Sequence, residues 1–283
     1  SLSQTQIMKK SNMELPMIRQ KAKRLDSKRL LLFGAPKCGK TTIVSELEDC
    51  LIVDMEQGSN YVDGMIVNVT NMAEYGELMK ALKKSKEETG KNPYKYIALD
   101  TMTALEDISL QLAVQLYRKT SMGANFTGTD VRTLPNGAGY LYTRQAFFKM
   151  LKPLENYCDT LVLIGHVKEK DMSKGGDSFT EKSIALTGQT KTILCSWCDA
   201  IGLVYRNENK TIIDFEPSDS LVVGSRQKHL IGQKITVATS NEVNDITVDW
   251  SKIFIEGKAT VIKGEGGKRP EKQEPLLNVP ATK

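Results

Sequence analysis

No stretch of the 283-residue sequence stays apolar long enough to span a bilayer, and the N-terminus lacks the apolar segment of a secretory signal. The protein is therefore expected to remain in the cytoplasm where it is made and to meet no membrane. Five cysteines (Cys38, Cys50, Cys158, Cys195, Cys198) are too few and too scattered for a disulfide framework, and the odd count fits free thiols in a reducing compartment. Cys195-Ser-Trp-Cys198 has the spacing of half a zinc site. No second cysteine pair or His-x₃₋₅-His completes it, so these thiols read as structural. There is also no Asn-Lys-x-Asp segment of the kind that reads guanine, because Asn209-Lys210-Thr211-Ile212 lacks the acid.

A large excess of one charge is missing too, since the net charge is only +5. What surplus exists is local. Residues 1–28 form a basic arm, with Lys9, Lys10, Arg19, Lys21, Lys23, Arg24 and Lys28 against Glu14 and Asp26. Such an arm suits a polyanion or a solvated leader. The remaining chain is nearly neutral, and 40% hydrophobic residues are enough for one substantial core.

What the sequence does contain is a complete Gly-x-x-x-x-Gly-Lys-Thr stretch, Gly34-Ala35-Pro36-Lys37-Cys38-Gly39-Lys40-Thr41, continued by Thr42. The apolar run Leu30-Leu31-Leu32-Phe33 precedes it as a strand, and a helix is expected from near Lys40 to about residue 48. Glycines let consecutive amides curl round a phosphate, Lys40 reaches the β/γ-phosphates, and the Thr41 hydroxyl holds Mg²⁺. The expected ligand is a nucleoside triphosphate with Mg²⁺.

Two further strands end in acids. Cys50 to Val53 leads into Asp54-Met55-Glu56, and a carboxylate at a strand's C-terminal end beside the phosphate loop is the candidate to orient and activate water. Tyr94 to Asp100 is a Walker B pattern, which makes Asp100 the metal-shell residue. Helices are expected over 72–88 and through Leu105, Ile108, Leu112 and Leu116, and Val67-Asn68-Val69 reads as an edge strand. Residues 119–139 and 168–185 read as two long glycine-bearing loops, with a helix from about 140 between them and a strand ending at Gly165-His166. His166 is placed either to sense a γ-phosphate or as a hydrogen-bonded core residue. A short helix from 186 and five β-rich segments give a mostly antiparallel ending, and residues 263–283 are too polar to order themselves.

Taken together, the strand ends, the two loops and the β-rich ending resemble the RecA-type P-loop ATPase core over residues 29–262. Within that group the chain is most similar to small phage-encoded RecA-like single-strand annealing and recombination proteins. They share the Gly-x-Pro-Lys-x-Gly-Lys-Thr-Thr loop (Gly34 to Thr42) and a strand ending in Gly-His. The resemblance implies an α/β fold with a doubly wound, mainly parallel sheet and an antiparallel β-rich C-terminal part. It implies ATP bound at the boundary between copies in a head-to-tail ring or filament, with Glu56 as the water-activating carboxylate. Basic residues of the Val222-to-Lys228 stretch, Arg226 and Lys228, are implied to complete a neighbour's site. The two loops are implied to contact single-stranded DNA. In them Phe126 and Phe179 could stack on bases, and Arg132, Lys168, Lys170 and Lys174 could track phosphates. His166 stands where recombinases generally carry glutamine, and the second loop has nearly balanced charge.

The function these residues imply is an ATP-dependent single-stranded-DNA-binding recombinase or annealing ATPase. The alternatives are an ATP-gated annealing or loading factor with little hydrolysis and a RecA-fold helicase-like motor. A small-molecule kinase would need an arginine-rich lid and no water-activating glutamate, and neither condition suits this sequence.

Overall fold

The computed structural model describes residue 15, residues 17–242 and residues 245–256. The expected tail at 263–283 and the first 14 residues of the basic arm lie outside the described residues.

The first strand, β1 (Arg29–Gly34), is apolar on both faces and buried from Leu30 to Phe33, as a central strand must be when helices cover both sides. It runs parallel to β5 (Cys158–Lys174) on one side and β7 (Ala200–Asn207) on the other. Beyond β5 come β4 (Tyr94–Asp100), β2 (Cys50–Asp54) and the edge strand β3 (Met65–Asn68), all parallel. Beyond β7 the pairing turns antiparallel through β8 (Lys210–Asp214), β10 (Lys234–Ser240) and β11 (Ile246–Val248), while the short β9 (Gly224–Ser225) pairs the start of β7. This is the expected α/β, doubly wound, mainly parallel sheet with an antiparallel C-terminal part.

Alternate residues of each strand feed the two faces. Leu31, Phe33, Leu99 and Leu163 pack with α2 (Met72–Thr89), α3 (Met102–Arg118), α4 (Gly139–Leu151) and α5 (Gly188–Trp197). Leu30, Leu32, Ala98 and Val162 pack with Ile43 and Val44 of α1 (Lys40–Ser45) and with Trp250 and Ile253 of the C-terminal segment. The Trp250 indole N–H donates to Ile43 O at 2.7 Å and ties that segment to α1. Helix α1 stops short of the expected residue 48, since the Leu47 amide already donates three residues back to Val44 O.

Both long loops differ from expectation. The second is not a loop. Strand β5 runs on past His166 out of the sheet and pairs with β6 (Asp177–Ile184) from Val167 to Ile184, closed by Gly175-Gly176 at φ 66° and 96°. That is a two-residue hairpin turn whose twist matches the strands it joins. The first loop is packed rather than free. It forms short 3₁₀ turns at Val131–Thr133 and Pro135–Gly137, and Val131 is fully buried against Ala113, Val114 and Ala146. Its glycines serve close approach: a methyl added to Gly139 would lie 1.6 Å from Val131 O, and one on Gly123 would lie 2.0 Å from Tyr117 O.

Candidate functional site

The strand register delivers the candidate residues to one sheet edge. Gly34 lies beside His166 of β5 and beside Val204 of β7, and Asp54 lies beside Asp100. Gly34 must be glycine here, because a Cβ would stand 2.2 Å from Val204 O. Ala35, Pro36 and Lys37 then carry the loop outward, Lys37 at φ 61°, and Gly39 at φ 97° turns the backbone into α1.

Within this loop Lys40 is buried, and its ammonium donates to Gly34 O at 3.1 Å and Ala35 O at 2.7 Å, 3.7 Å from Cys38 Sγ. The cation thus rests on the loop's own carbonyls, centred where phosphates would arrive. The Cys38 thiol is spent on Val204 O at 3.4 Å. Next, the Thr41 hydroxyl donates to Asp100 Oδ2 at 2.5 Å, so the two residues expected to hold Mg²⁺ are in contact. Thr42 O accepts the Ser45 hydroxyl at 2.9 Å inside α1. Burial pushes the Asp100 carboxyl up; the Thr41 hydroxyl opposes this, and the neighbouring Glu56 and Asp54 charges add to it. A divalent cation would relieve that crowding, so the residues present fit Mg²⁺ and a triphosphate.

Glu56 is presented by a turn that Asp54 builds. The Asp54 carboxylate accepts the amides of Glu56 (3.0 Å), Gly58 (3.3 Å) and Ser59 (2.9 Å). Burial alone would raise the Asp54 carboxyl, but these amides outweigh it and hold it below the ordinary carboxylate range. The Glu56 carboxylate accepts the Thr101 hydroxyl at 2.5 Å, and His166 Nε2 lies 3.1 Å from each of its oxygens. His166 Nδ1 is buried without a hydrogen-bond partner among the described residues. Thr101 was not singled out in the sequence; its signal is its place directly after the Walker B acid, where it also caps α3 by accepting the Ala104 amide.

The other candidates are not gathered here. Arg226 follows β9, where Ser225 pairs with Ala200, whereas the phosphate loop meets β7 at Val204. Four residues of strand put Arg226 about 13 Å away, at the opposite edge of the sheet. Its guanidinium pairs with Asp199 at 3.1 Å and donates to Ser196 O at 2.6 Å. Arg226 and Lys228 border a cavity of about 540 Å³ that Arg24, Lys28 and Arg29 also line.

Of the loop candidates, Phe126 lies edge-on against Tyr117 with ring centroids 5.3 Å apart, and Arg132 is held by Asp130 at 2.8 Å and by Asp107 at 3.7 Å. Both are built into the loop rather than offered from it. Lys168, Lys170 and Phe179 lie on the β5–β6 hairpin, with the two lysines exposed and Phe179 half-buried opposite Met172. The side chain of Lys174 lies outside the described ones.

Among the described residues no helix is long and apolar enough to cross a membrane, and no group of three or more His, Cys, Asp or Glu stands ready to hold a metal by itself. Asp100 and Thr41, in contact with each other, are the residues that would hold a cation shared with the nucleotide.

No curated protein matches the chain. Among solved structures it is similar to a KaiC-like protein of the archaeon Pyrococcus horikoshii, at 12% identity and a TM-score of 0.40, over 78% of this chain and 89% of that one. The model of the AAA domain family matches residues 26–227, from just before β1 to just past β9. The chain belongs to the AAA domain family.

Proposed function

We propose that this P-loop ATPase domain is an ATP-dependent, single-stranded-DNA-binding recombinase or annealing ATPase that works as a head-to-tail oligomer. One observation carries the reading: His166 touches the water-activating candidate Glu56 and is also the last residue of β5 before the strand leaves the sheet as the hairpin arm. The nucleotide site and the arm thus share one strand.

In this reading Lys40 and the loop amides would bind the phosphates, and Thr41 with Asp100 would hold Mg²⁺, which would spread the charge of the phosphate oxygens. Glu56 takes a proton from the attacking water. Thr101 and His166 fix its orientation, so that basicity and position are separately supplied. Lys168, Lys170 and Phe179 on the arm offer the cations and the aromatic face that single strands require. Arg226 and Lys228, at the far sheet edge, would meet the nucleotide of the next copy.

The test is the ATPase rate with and without single-stranded DNA, alongside the variant Glu56→Gln. We expect DNA to stimulate turnover in the wild type. Glu56→Gln should bind ATP normally but hydrolyse it about 10²-fold more slowly. ATP-dependent annealing with no stimulated turnover would instead favour the loading factor, and DNA-independent behaviour in both assays would end the DNA assignment.

A further inference from the structure

A basic residue outside the phosphate-loop motif sits beside the loop with no hydrogen bond or ion pair among the described residues. The even-numbered positions of β7, Ala200, Gly202 and Val204, face the layer that contains Ile43 and Val44 of α1. Alternation therefore directs Arg206 to the same side as the phosphate loop. Gly39 confirms the approach: a methyl added there would lie 3.9 Å from Arg206 Nε and 3.7 Å from the hydroxyl of Thr211, its cross-strand partner on β8.

The other arginines between residues 24 and 256 are engaged. Arg29, Arg132 and Arg226 are ion-paired, and Arg24, Arg118 and Arg144 donate to carbonyl oxygens. Arg206 alone among them has no hydrogen bond or ion pair among the described residues, although it is exposed and acids are abundant in the chain. A guanidinium is shaped for bidentate contact with phosphate oxygens. The position also says which part of the phosphate chain it can serve. Glu56, Asp100 and His166 all lie on the β5 side of β1, so the reacting end of the nucleotide belongs there. Arg206 stands on the opposite, β7 flank.

We propose that Arg206 is a second cationic contact of the nucleotide site, binding the α/β part of the phosphate chain from the β7 side and leaving the transferred γ-phosphate to Lys40. This rests on the nucleotide-binding reading above. A contact made equally to substrate and transition state lowers Kd without raising the maximal rate. The loss of Arg206 should therefore appear as a loss of affinity shared by ATP and ADP.

The experiment is titration of ATP and of ADP, each with Mg²⁺, into wild type, Arg206→Ala, Arg206→Lys and Lys40→Ala. Melting curves serve as the folding control. We expect Arg206→Ala to raise Kd for ATP and ADP by the same factor, about tenfold to a hundredfold, as for a charge-assisted hydrogen bond. Arg206→Lys should recover part of this. Unchanged affinities, or weakening of ATP but not ADP, overturn the proposal. If Lys40→Ala binds as the wild type does, the nucleotide-site reading itself fails. Should Arg206→Ala not fold, the Arg206→Lys titration decides, since only a true phosphate contact makes it differ equally for both nucleotides.

Discussion

Asp100 shows how the site holds opposed demands in one residue. Its carboxyl is buried, raised above the ordinary range mainly by that burial, and faces Glu56 and Asp54 across the same edge. Glu106 on α3 is raised for the same first reason, although it accepts the Thr187 hydroxyl at 2.9 Å. A carboxyl raised in the folded state favours the fold while it is protonated, so its contribution is complete below the unfolded pKa and is lost as pH rises through the folded one. The nucleotide-free, Mg²⁺-free protein should therefore lose stability from about pH 4 upward on account of these two groups. Asp100→Asn keeps the bond to Thr41 and removes the charge. Its melting temperature in EDTA should exceed the wild type's by a few degrees at neutral pH, about 2–4 °C for each kcal/mol relieved. The gap should close toward pH 4, and stabilisation by Mg²⁺ with ATP should disappear. A variant that melts below the wild type at neutral pH would show that Asp100 is not under strain from its neighbours. The acids themselves were legible, since each ends an apolar run. Thr101 and Arg206 were not, because a threonine after an acid and an arginine at the end of a strand acquire meaning only from the residues that the sheet places beside them.

At the scale of elements, the parallel core was legible because strands buried on both faces are unbroken apolar runs. The hairpin of β5 and β6 was misread because its two arms are polar. Its signals were two runs of eight residues around Gly175-Gly176 with opposite charges in register, where Lys182 meets Glu169 at 3.3 Å. Glycine was misread in the first loop as well, where Gly123 and Gly139 mark backbone contact and not freedom. These corrections separate two aromatic candidates that the sequence treated alike. Phe179→Ala should weaken single-strand binding at every salt concentration with little change in the slope of log K against log[salt]. Lys168→Ala with Lys170→Ala should lower that slope by about two. Phe126→Ala removes a ring packed on Tyr117 and should lower the melting temperature, with no specific loss of DNA affinity. Equilibrium binding across a salt series, paired with melting curves, tells these outcomes apart, and equal DNA defects from both aromatics would contradict the arrangement seen here.

For the whole molecule, the two sheet edges have opposite character. The edge at the C-terminal ends of the parallel strands gathers Asp54, Glu56 and Asp100 near Lys40, while the edge at their N-terminal ends gathers Arg24, Lys28, Arg29, Arg226 and Lys228 with Asp26 and Asp199 round one cavity. One edge stacked on the other is a heterologous contact, and such contacts propagate into rings or filaments. Arg226 cannot reach its own phosphate loop across the length of β7, so whatever it does for catalysis it does for a neighbour. Replacing it should do little to the fold. Its bond with Asp199 is exposed, such pairs are worth at most about 1 kcal/mol, and Asp199 keeps Arg29 at 3.2 Å. Arg226→Ala should thus bind ATP normally as an isolated subunit yet hydrolyse it poorly. Glu56→Gln should hydrolyse ATP poorly for the complementary reason, an intact Arg226 beside a disabled site. When the two variants are mixed, each Arg226→Ala subunit that follows a Glu56→Gln subunit has a working Glu56 and a borrowed Arg226, and turnover should reappear in proportion to such junctions. A mixture as inactive as its parts would place Arg226 outside the catalytic assembly.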